Sequence, residues 1–139
     1  MYESCKNKQE EIKSKFSSCE NQEDRYRKLM ELGRQLKPLA SEFKTPENLV
    51  RGCQSNVFLR SFLDGDVMIF EADADALISA GLISIVIDVY SGETPETILK
   101  CEPAYIKELG IAERLTPGRA NGLANMLLRI KQDALKSLI

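Results

Sequence analysis

The first helical pattern in the chain lies in residues 22–36. Its apolar positions recur at the three- and four-residue spacing of one helix face: Tyr26, Leu29, Met30, Gly33 and Leu36. Pro38 and the polar residues after it end this helix. Residues 1–22 form a polar N-terminal segment, in which Ile12 and Phe16 can anchor one short amphipathic helix.

Two apolar runs in the middle of the chain predict a β-hairpin. Val57 to Leu63 and Val67 to Ala72 have strand character, and they flank the turn sequence Asp64-Gly65-Asp66. Glycine tolerates the positive φ that a primed hairpin turn requires. Because a single hairpin is only marginally stable in water, helices must cover one of its faces.

The apolar segment after the hairpin fits two structures by its pattern. The run ISIVIDVY is rich in β-branched residues and is compatible with a buried strand. However, Asp73 or Asp75 can cap a helix, and the apolar run exceeds ten residues. We therefore predict a buried helix from about Asp75 to Tyr90.

Three further helices are predicted in the last third of the chain. Thr94-Pro95 begins a short helix, with threonine as N-cap and proline at the first position. The range Pro103 to Leu109 predicts one or two more turns, ended by Gly110. The final helix begins at Thr116-Pro117. It carries one apolar stripe: Leu123, Met126, Leu127, Ile130, Ala134 and Leu138.

Composition agrees with one soluble globular domain. The chain has 139 residues and a mass of 15.6 kDa, with 43% hydrophobic and 29% charged residues. The order of elements predicts a single α+β domain over residues 1–139, in which a small antiparallel, hairpin-based sheet packs against several α-helices. The net charge of −2 does not favour nucleic acid as a partner.

The sequence contains no histidine. This excludes Ser-His-Asp triads, Cys-His nucleophiles, histidine metal ligands and imidazole proton shuttles. Any proton chemistry must use carboxylates, thiols, lysine, tyrosine or water.

The compartment is predicted from the N-terminus and from the apolar runs. The first residues contain no apolar core and no small-residue cleavage site, so they do not resemble a secretory signal. The longest apolar run, Leu77 to Tyr90, is interrupted by Asp88 and is too short to span a bilayer. We expect a cytoplasmic protein with free thiols and no membrane partner.

The four cysteines are Cys5, Cys19, Cys53 and Cys101. No pair forms a CxxC motif, and a cysteine-only zinc site would need four distant segments, so we expect no metal. Cys53 lies in the sequence RGCQSNVFL, just before the first predicted strand. The residues alone leave two interpretations open: a small buried apolar side chain, or a functional thiol on a loop.

Arg119 is the second unusual position. It lies one turn before Leu123, at the head of the apolar stripe of the last helix. A cation there opposes the helix dipole and approaches the core, so it requires an anionic or polar partner.

Four sequence blocks, in this order and spacing, resemble the SufE family of sulfur-acceptor proteins. The blocks are ELGRQLKPL, NLVRGCQSNVFL, DADALISAGLISIV and LTPGRANGLANMLLRIK. The resemblance extends from about Glu20 to the C-terminus. The GCQS block and the block around LTP-x-R-x-x-G-L are specific to the family, whereas the first block is weak by itself.

The resemblance implies a role for each matching residue. Cys53 would accept a sulfane sulfur from the persulfide of a SufS- or CsdA-type cysteine desulfurase. It would pass the sulfur to an iron–sulfur scaffold such as a SufBCD-like complex, and pyridoxal phosphate would belong to the desulfurase. The other matching positions are Arg51, Gly52, Gln54 and Ser55 around the cysteine, and Asp73, Asp75, Gly81, Arg119 and Gly122 elsewhere.

The chain also departs from the family pattern. Phe58 replaces the usual tryptophan after the cysteine loop, and Ala72 and Ala74 replace glycine and serine beside the two aspartates. Lys37 and Ala80 stand where the family usually has proline and often has lysine. These differences affect partner affinity and loop detail rather than the sulfur-carrying cysteine.

Sulfur relay of this kind is thiol exchange, which requires one accessible cysteine and no cofactor on the carrier. At an unperturbed pKa near 8.5, only about 3% of a thiol is ionised at neutral pH, and a nearby cation would raise that fraction. We hypothesise that Arg51 or Arg119 supplies this charge, or that Arg119 steadies the loop through Asp73 or Asp75. The alternative is a purely structural Arg–Asp pair.

A carried persulfide also needs shelter from reductants and oxidants. Val57 and Phe58 beside the loop are candidates to line such a shelter, from which the loop would swing outward when the desulfurase docks. Two other functions remain open from the sequence: an allosteric regulator that binds the desulfurase without accepting sulfur, and a single-cysteine redox protein.

Overall fold

Six α-helices and a two-stranded antiparallel sheet make up the computed structural model, which describes residues 1–139. In chain order the elements are α1 (Glu3–Lys15), α2 (Gln22–Gln35), β1 (Val57–Asp64), β2 (Val67–Ala74), α3 (Leu77–Tyr90), α4 (Pro95–Lys100), α5 (Ala104–Glu108) and α6 (Pro117–Ser137). Short 3₁₀ turns lie at Ser41–Phe43, Pro46–Asn48 and Ala112–Arg114. The predicted single α+β domain with a hairpin sheet is confirmed.

The ambiguous apolar segment forms the central helix α3, as predicted. Eleven of its 14 residues are buried, so it has almost no polar face to reveal helical periodicity. It begins at Leu77 rather than near Asp75, and Ala76 is an N-cap without a side-chain hydrogen bond. The prediction that Asp73 or Asp75 caps this helix is wrong, because both carboxylates bind other groups, as the site geometry shows.

Helix α2 crosses α3 at a contact that requires two glycines. A Cβ atom on Gly33 would lie 2.5 Å from the Leu77 carbonyl oxygen, and one on Gly81 would collide with the backbone of Leu29. Glycine at both positions therefore lets the two helix backbones touch. Helix α2 is fixed at its start by Asn21, whose side chain accepts a hydrogen bond from the N–H of Asp24 (2.8 Å).

The N-terminal segment contributes more to the core than its polar sequence predicted. Helix α1 has 13 residues, and Cys5, Gln9 and Ile12 are buried against the rest of the domain. Phe16 is buried directly after the helix. Only one narrow stripe of α1 is buried, so the segment is polar in composition and nevertheless an integral part of the core.

The hairpin has the predicted turn and slightly longer strands. Gly65, in the turn between them, has a φ of +66°. The register pairs Leu59 with Ala72 on the core face and Arg60 with Glu71 on the opposite face. Helix α3 packs against the core face of the sheet through β2, which is the cover that the sequence required.

The C-terminal helices begin at the predicted caps. Thr94 accepts a hydrogen bond from the N–H of Thr97 at 3.2 Å, and Thr116 accepts one from Arg119 at 3.4 Å. Four residues of the predicted stripe on α6 are buried, namely Leu123, Met126, Ile130 and Ala134, and Leu127 is partly buried. Leu138 is an exception, because it lies at the C-cap beyond the core and is 46% exposed.

Candidate functional site

Cys53 lies on a short loop whose two ends are held together. The N–H of Val50 donates to the carbonyl of Val57 at 2.8 Å. This bond closes the loop, because it joins the residue before the loop to the first residue of β1. Gly52 has a φ of +83°, a backbone conformation that side chains other than glycine rarely adopt. The loop thus places Cys53 directly after a turn that requires glycine.

One side of the loop is attached to helix α6. The side-chain amides of Asn121 and Asn125 both donate to the carbonyl of Gly52, each at 3.4 Å. These two residues lie one turn apart on α6. They were not predicted from the sequence, because an isolated asparagine on a helix surface gives no signal of what it contacts.

Two glycines of α6 make room for the side chains of the loop. Gln54 covers Gly118 so closely that a Cβ atom there would collide with its amide. The thiol of Cys53 lies over Gly122, with its sulfur 3.7 Å from the Gly122 carbonyl oxygen. The sequence ANGLAN within the last block is therefore the surface on which the cysteine rests.

The other side of the loop is attached to the start of α3. Ser55 donates to the hydroxyl of Ser79 at 2.6 Å, and the N–H of Asn56 donates to a carboxylate oxygen of Asp75 at 2.9 Å. Asp75 thus holds the loop directly. Of the residues that the sequence singled out, six come together here: Gly52, Cys53, Gln54, Ser55, Asp75 and Gly122.

The hypothesised link from Arg119 to Asp73 or Asp75 is not present. Asp73 instead forms an ion pair with Lys44 at 3.1 Å and accepts a hydrogen bond from the N–H of Leu39 at 3.4 Å. The guanidinium of Arg119 lies 5.9 Å from the centre of the Tyr26 ring and makes no ion pair. The partner of this cation in the structure is therefore an aromatic face, whereas an anionic or polar group was predicted.

Burial, rather than a cation, controls the Cys53 thiol. The side chain is half-buried, and desolvation raises its pKa above the ordinary value. Arg51 is exposed and makes no ion pair or hydrogen bond. In the free protein the thiol is thus neutral at neutral pH, contrary to the expectation that Arg51 or Arg119 promotes its ionisation.

The predicted shelter is also arranged differently. Val57 is fully buried on the core face of β1, whereas Phe58 points to the opposite face, because successive strand residues alternate. Phe58 lines a small cavity of about 130 Å³ together with Lys44 and Asp73. The two side chains cannot line one pocket, and the shelter of Cys53 is built from α6 instead.

The remaining cysteines lie apart from this loop. Cys5 and Cys101 are buried on either side of Gln9, whose amide nitrogen lies 3.8 Å and 3.4 Å from their sulfurs. Cys19 is partly exposed after α1. No group of three or more cysteine or acidic side chains is close enough to share a metal ion.

The fold and the site define a class: a small α+β domain that displays one thiol on a glycine-dependent loop between helix α6 and the hairpin. The sequence matches the SufE family, described as an Fe-S metabolism associated domain, over residues 10–134. The chain belongs to the SufE family.

Two relatives cover most of this chain. An uncharacterized SufE-like protein of Rhizobium etli is 41% identical over 130 residues, which span 90% of this chain and 88% of the relative. SufE-like protein 1 of Arabidopsis thaliana, named as chloroplastic/mitochondrial, is 39% identical over 129 residues. That match spans 92% of this chain and 35% of the relative, so this chain corresponds to about a third of the longer protein.

A solved structure shares the fold. The solution structure of a hypothetical protein from Thermus thermophilus superposes with a TM-score of 0.75 at 24% identity, covering 94% of this chain and 96% of the other. None of the helices described above has the length and apolarity needed to cross a membrane.

Proposed function

We propose that the protein carries sulfur for iron–sulfur cluster assembly, with Cys53 as the residue that holds it. The observation that supports this most directly is the position of Cys53 on a loop with a left-handed glycine, in a chain of a family associated with Fe–S metabolism. In this proposal the donor is a SufS- or CsdA-type cysteine desulfurase, and the receiver is a SufBCD-like scaffold.

The transfer is a thiol exchange without net oxidation. The Cys53 thiolate attacks the outer sulfur of the donor persulfide, so that a new S–S bond forms on Cys53 while the donor S–S bond breaks. The donor cysteine leaves as a thiolate and takes up the proton that Cys53 released. Pyridoxal phosphate, which frees the sulfur from cysteine, acts on the desulfurase and not on this chain.

The raised pKa of Cys53 explains why such a carrier needs its partner. A neutral, half-buried thiol is a poor nucleophile, which limits unwanted reactions in the free protein. The loop is held on α6 by two long amide hydrogen bonds and on the start of α3 by the bonds of Ser55 and Asn56. Each such bond contributes about 0.5–1.5 kcal/mol. A docked desulfurase can offset that cost, swing the loop outward and expose the sulfur.

Intact mass spectrometry after incubation with a cysteine desulfurase and free cysteine tests the proposal. We expect an added mass of one sulfur atom, removed by a reductant and mapped to the peptide that contains Cys53. The Cys53→Ser variant should gain no sulfur, whereas Cys19→Ser should load as the unmodified protein does. Equal loading at another thiol, or none, would contradict a carrier role for Cys53.

The same variant separates the two alternative functions. A regulator that does not accept sulfur would still stimulate the desulfurase as Cys53→Ser, whereas a carrier would lose the stimulation. A single-cysteine redox protein would consume peroxide by itself, without any desulfurase. We propose a cytoplasmic location, which fractionation of the native cell would test.

A further inference from the structure

A groove of about 340 Å³ lies beside the Cys53 loop, between residues 46–51 and helix α6. No step of the proposed sulfur transfer uses it. The wall contributed by α6 is one helix face, with residues spaced by three and four: Asn125, Leu128, Arg129, Gln132 and Lys136. Arg51 lines the groove from the opposite wall.

The groove has the dimensions of a short extended peptide. Eleven residue steps separate Asn125 from Lys136, which corresponds to about 16 Å of helix. A strand rises about 3.3 Å per residue, so about five extended residues would fill this length. Asn125 also donates to the carbonyl of Gly52, so one end of the groove directly adjoins the Cys53 loop.

The charge of the groove is positive although the chain as a whole has a net charge of −2. Arg129 is used structurally, because it donates to the carbonyl of Glu47 (2.8 Å) and pairs with Asp133 (3.0 Å). The side chains of Arg51 and Lys136 make no ion pair or hydrogen bond, and Glu47 is the one carboxylate of the lining. An acidic ligand would complement these two cations.

The α6 wall of the groove also presents one apolar side chain. Leu128 is 53% exposed and lines the same groove as the two unpaired cations. An exposed leucine in a groove with two unpaired cations fits a segment that carries acidic residues and an apolar side chain. The amide of Gln132 has no hydrogen-bond partner within the chain and is available to a peptide backbone.

We propose that this groove docks an acidic, extended segment of the protein that delivers sulfur to Cys53. The inference rests on the sulfur-carrier function proposed above. The donor meets the neutral, half-buried thiol, so delivery is the step in which the loop must be released. A segment bound at Asn125 would contact the residue that tethers Gly52, which couples docking to release of the loop.

The test compares two lysines that each lie in the last turn of a helix. Lys136→Glu reverses a charge in the groove, and Lys107→Glu makes the same change at the end of α5, outside the groove. Cys53 loading is measured as a function of desulfurase concentration at low and high salt. We expect Lys136→Glu to raise the half-saturating donor concentration about tenfold at low salt, and Lys107→Glu to leave it unchanged.

A second variant and a reaction without desulfurase complete the test. Leu128→Asp at an exposed position should raise the half-saturating concentration as well, while both groove variants should still take up sulfur from inorganic polysulfide at the unmodified rate. Equal donor dependence in Lys136→Glu and Lys107→Glu, with Cys53 loaded normally, overturns the groove assignment alone. A defect confined to sulfur release toward the scaffold also overturns it. No loading of Cys53 in the unmodified protein overturns the carrier function itself.

Discussion

Thiols lie in two regions of the molecule, the Cys53 loop and the core around Cys5 and Cys101. Burial raises a thiol pKa in both regions, but the two regions are held in place by different contacts. Burial raises the pKa of Cys53 on its loop, and burial followed by a hydrogen bond with Cys101 raises the pKa of Cys5 to about 12. Cys5 is wholly inaccessible, whereas Cys53 is half-buried. A raised pKa is therefore common to both regions and does not distinguish the functional thiol.

The two regions differ in the hydrogen bonds that hold each thiol in place. Cys5 and Cys101 lie on either side of Gln9, whose side-chain amide donates to the carbonyl of Glu102 at 2.9 Å and accepts from the N–H of Tyr105 at 3.2 Å. These bonds join α1 to the α4–α5 segment, so exposing Cys5 requires separation of core elements. Exposing Cys53 requires the release of one short loop from α6 and from the start of α3, without separation of core elements. Reactivity in this fold thus depends on the cost of local opening rather than on the resting pKa.

The largest expected effect is a contrast in alkylation rate. In a Cys19→Ser background, iodoacetamide should modify Cys53 at least ~100-fold faster than Cys5 or Cys101, equivalent to about 3 kcal/mol of difference in opening free energy. Quantitative peptide mass spectrometry of the native protein measures the three rates. Similar rates would show that the core opens as readily as the loop, which would contradict the conclusion that local opening distinguishes Cys53.

The next largest effect is expected from a substitution in the core around Cys5 and Cys101. Gln9→Ala leaves the buried N–H of Tyr105 without a partner and removes one of the two donors to the Glu102 carbonyl, which also accepts from the N–H of Ala104. This should lower the free energy of unfolding by about 1–3 kcal/mol. Urea denaturation measures this loss. Gln132→Ala on the surface of α6 is the control and should change stability by less than about 0.5 kcal/mol. A tolerated Gln9→Ala would mean that the amide does not hold α1.

The pH dependence of the Cys53 alkylation rate tests whether the pKa of this thiol is raised, as it is for Cys5. Because its pKa is raised, the reactive thiolate is scarce at neutral pH and grows about tenfold per pH unit below the pKa. The alkylation rate of Cys53 should therefore keep rising from about pH 7 through about pH 8.5, where an ordinary thiol begins to level off. A plateau near neutrality would indicate a lowered pKa and a cation that approaches the sulfur in solution.

The smallest expected effect loosens the loop. Asn125→Ala removes one of the two amides that donate to Gly52, at a cost of about 0.5–1 kcal/mol in loop attachment. The alkylation rate of Cys53 should rise about threefold, while that of Cys5 stays unchanged. Asn48→Ala, which removes a hydrogen bond to Phe43 on another loop, is the matched control. An unchanged Cys53 rate would show that Asn125 does not restrain the loop.

Local sequence was sufficient for most elements of the fold. The Asp-Gly turn, the threonine caps at Thr94 and Thr116, and the length of the apolar run of α3 each depend on neighbours within a few residues. Ile12 and Phe16 were sufficient to predict a short helix anchored in the core near the N-terminus, whereas the burial of Cys5 and Gln9 gave no local signal. Helix α3 begins two residues later than predicted, because the carboxylates of Asp73 and Asp75 bind Lys44 and Asn56, which are far from the helix in sequence.

The amino-acid sequence alone was enough to recognise the resemblance to the family and to single out Cys53, which follows Gly52, by its neighbours. The positions of the charges, in contrast, depend on tertiary packing. It placed Arg119 over Tyr26, left Arg51 free at a groove, and laid the thiol on Gly122. The physical reason is that caps and turns act over a few bonds, whereas desolvation and ion pairing depend on residues from distant segments that packing alone brings together.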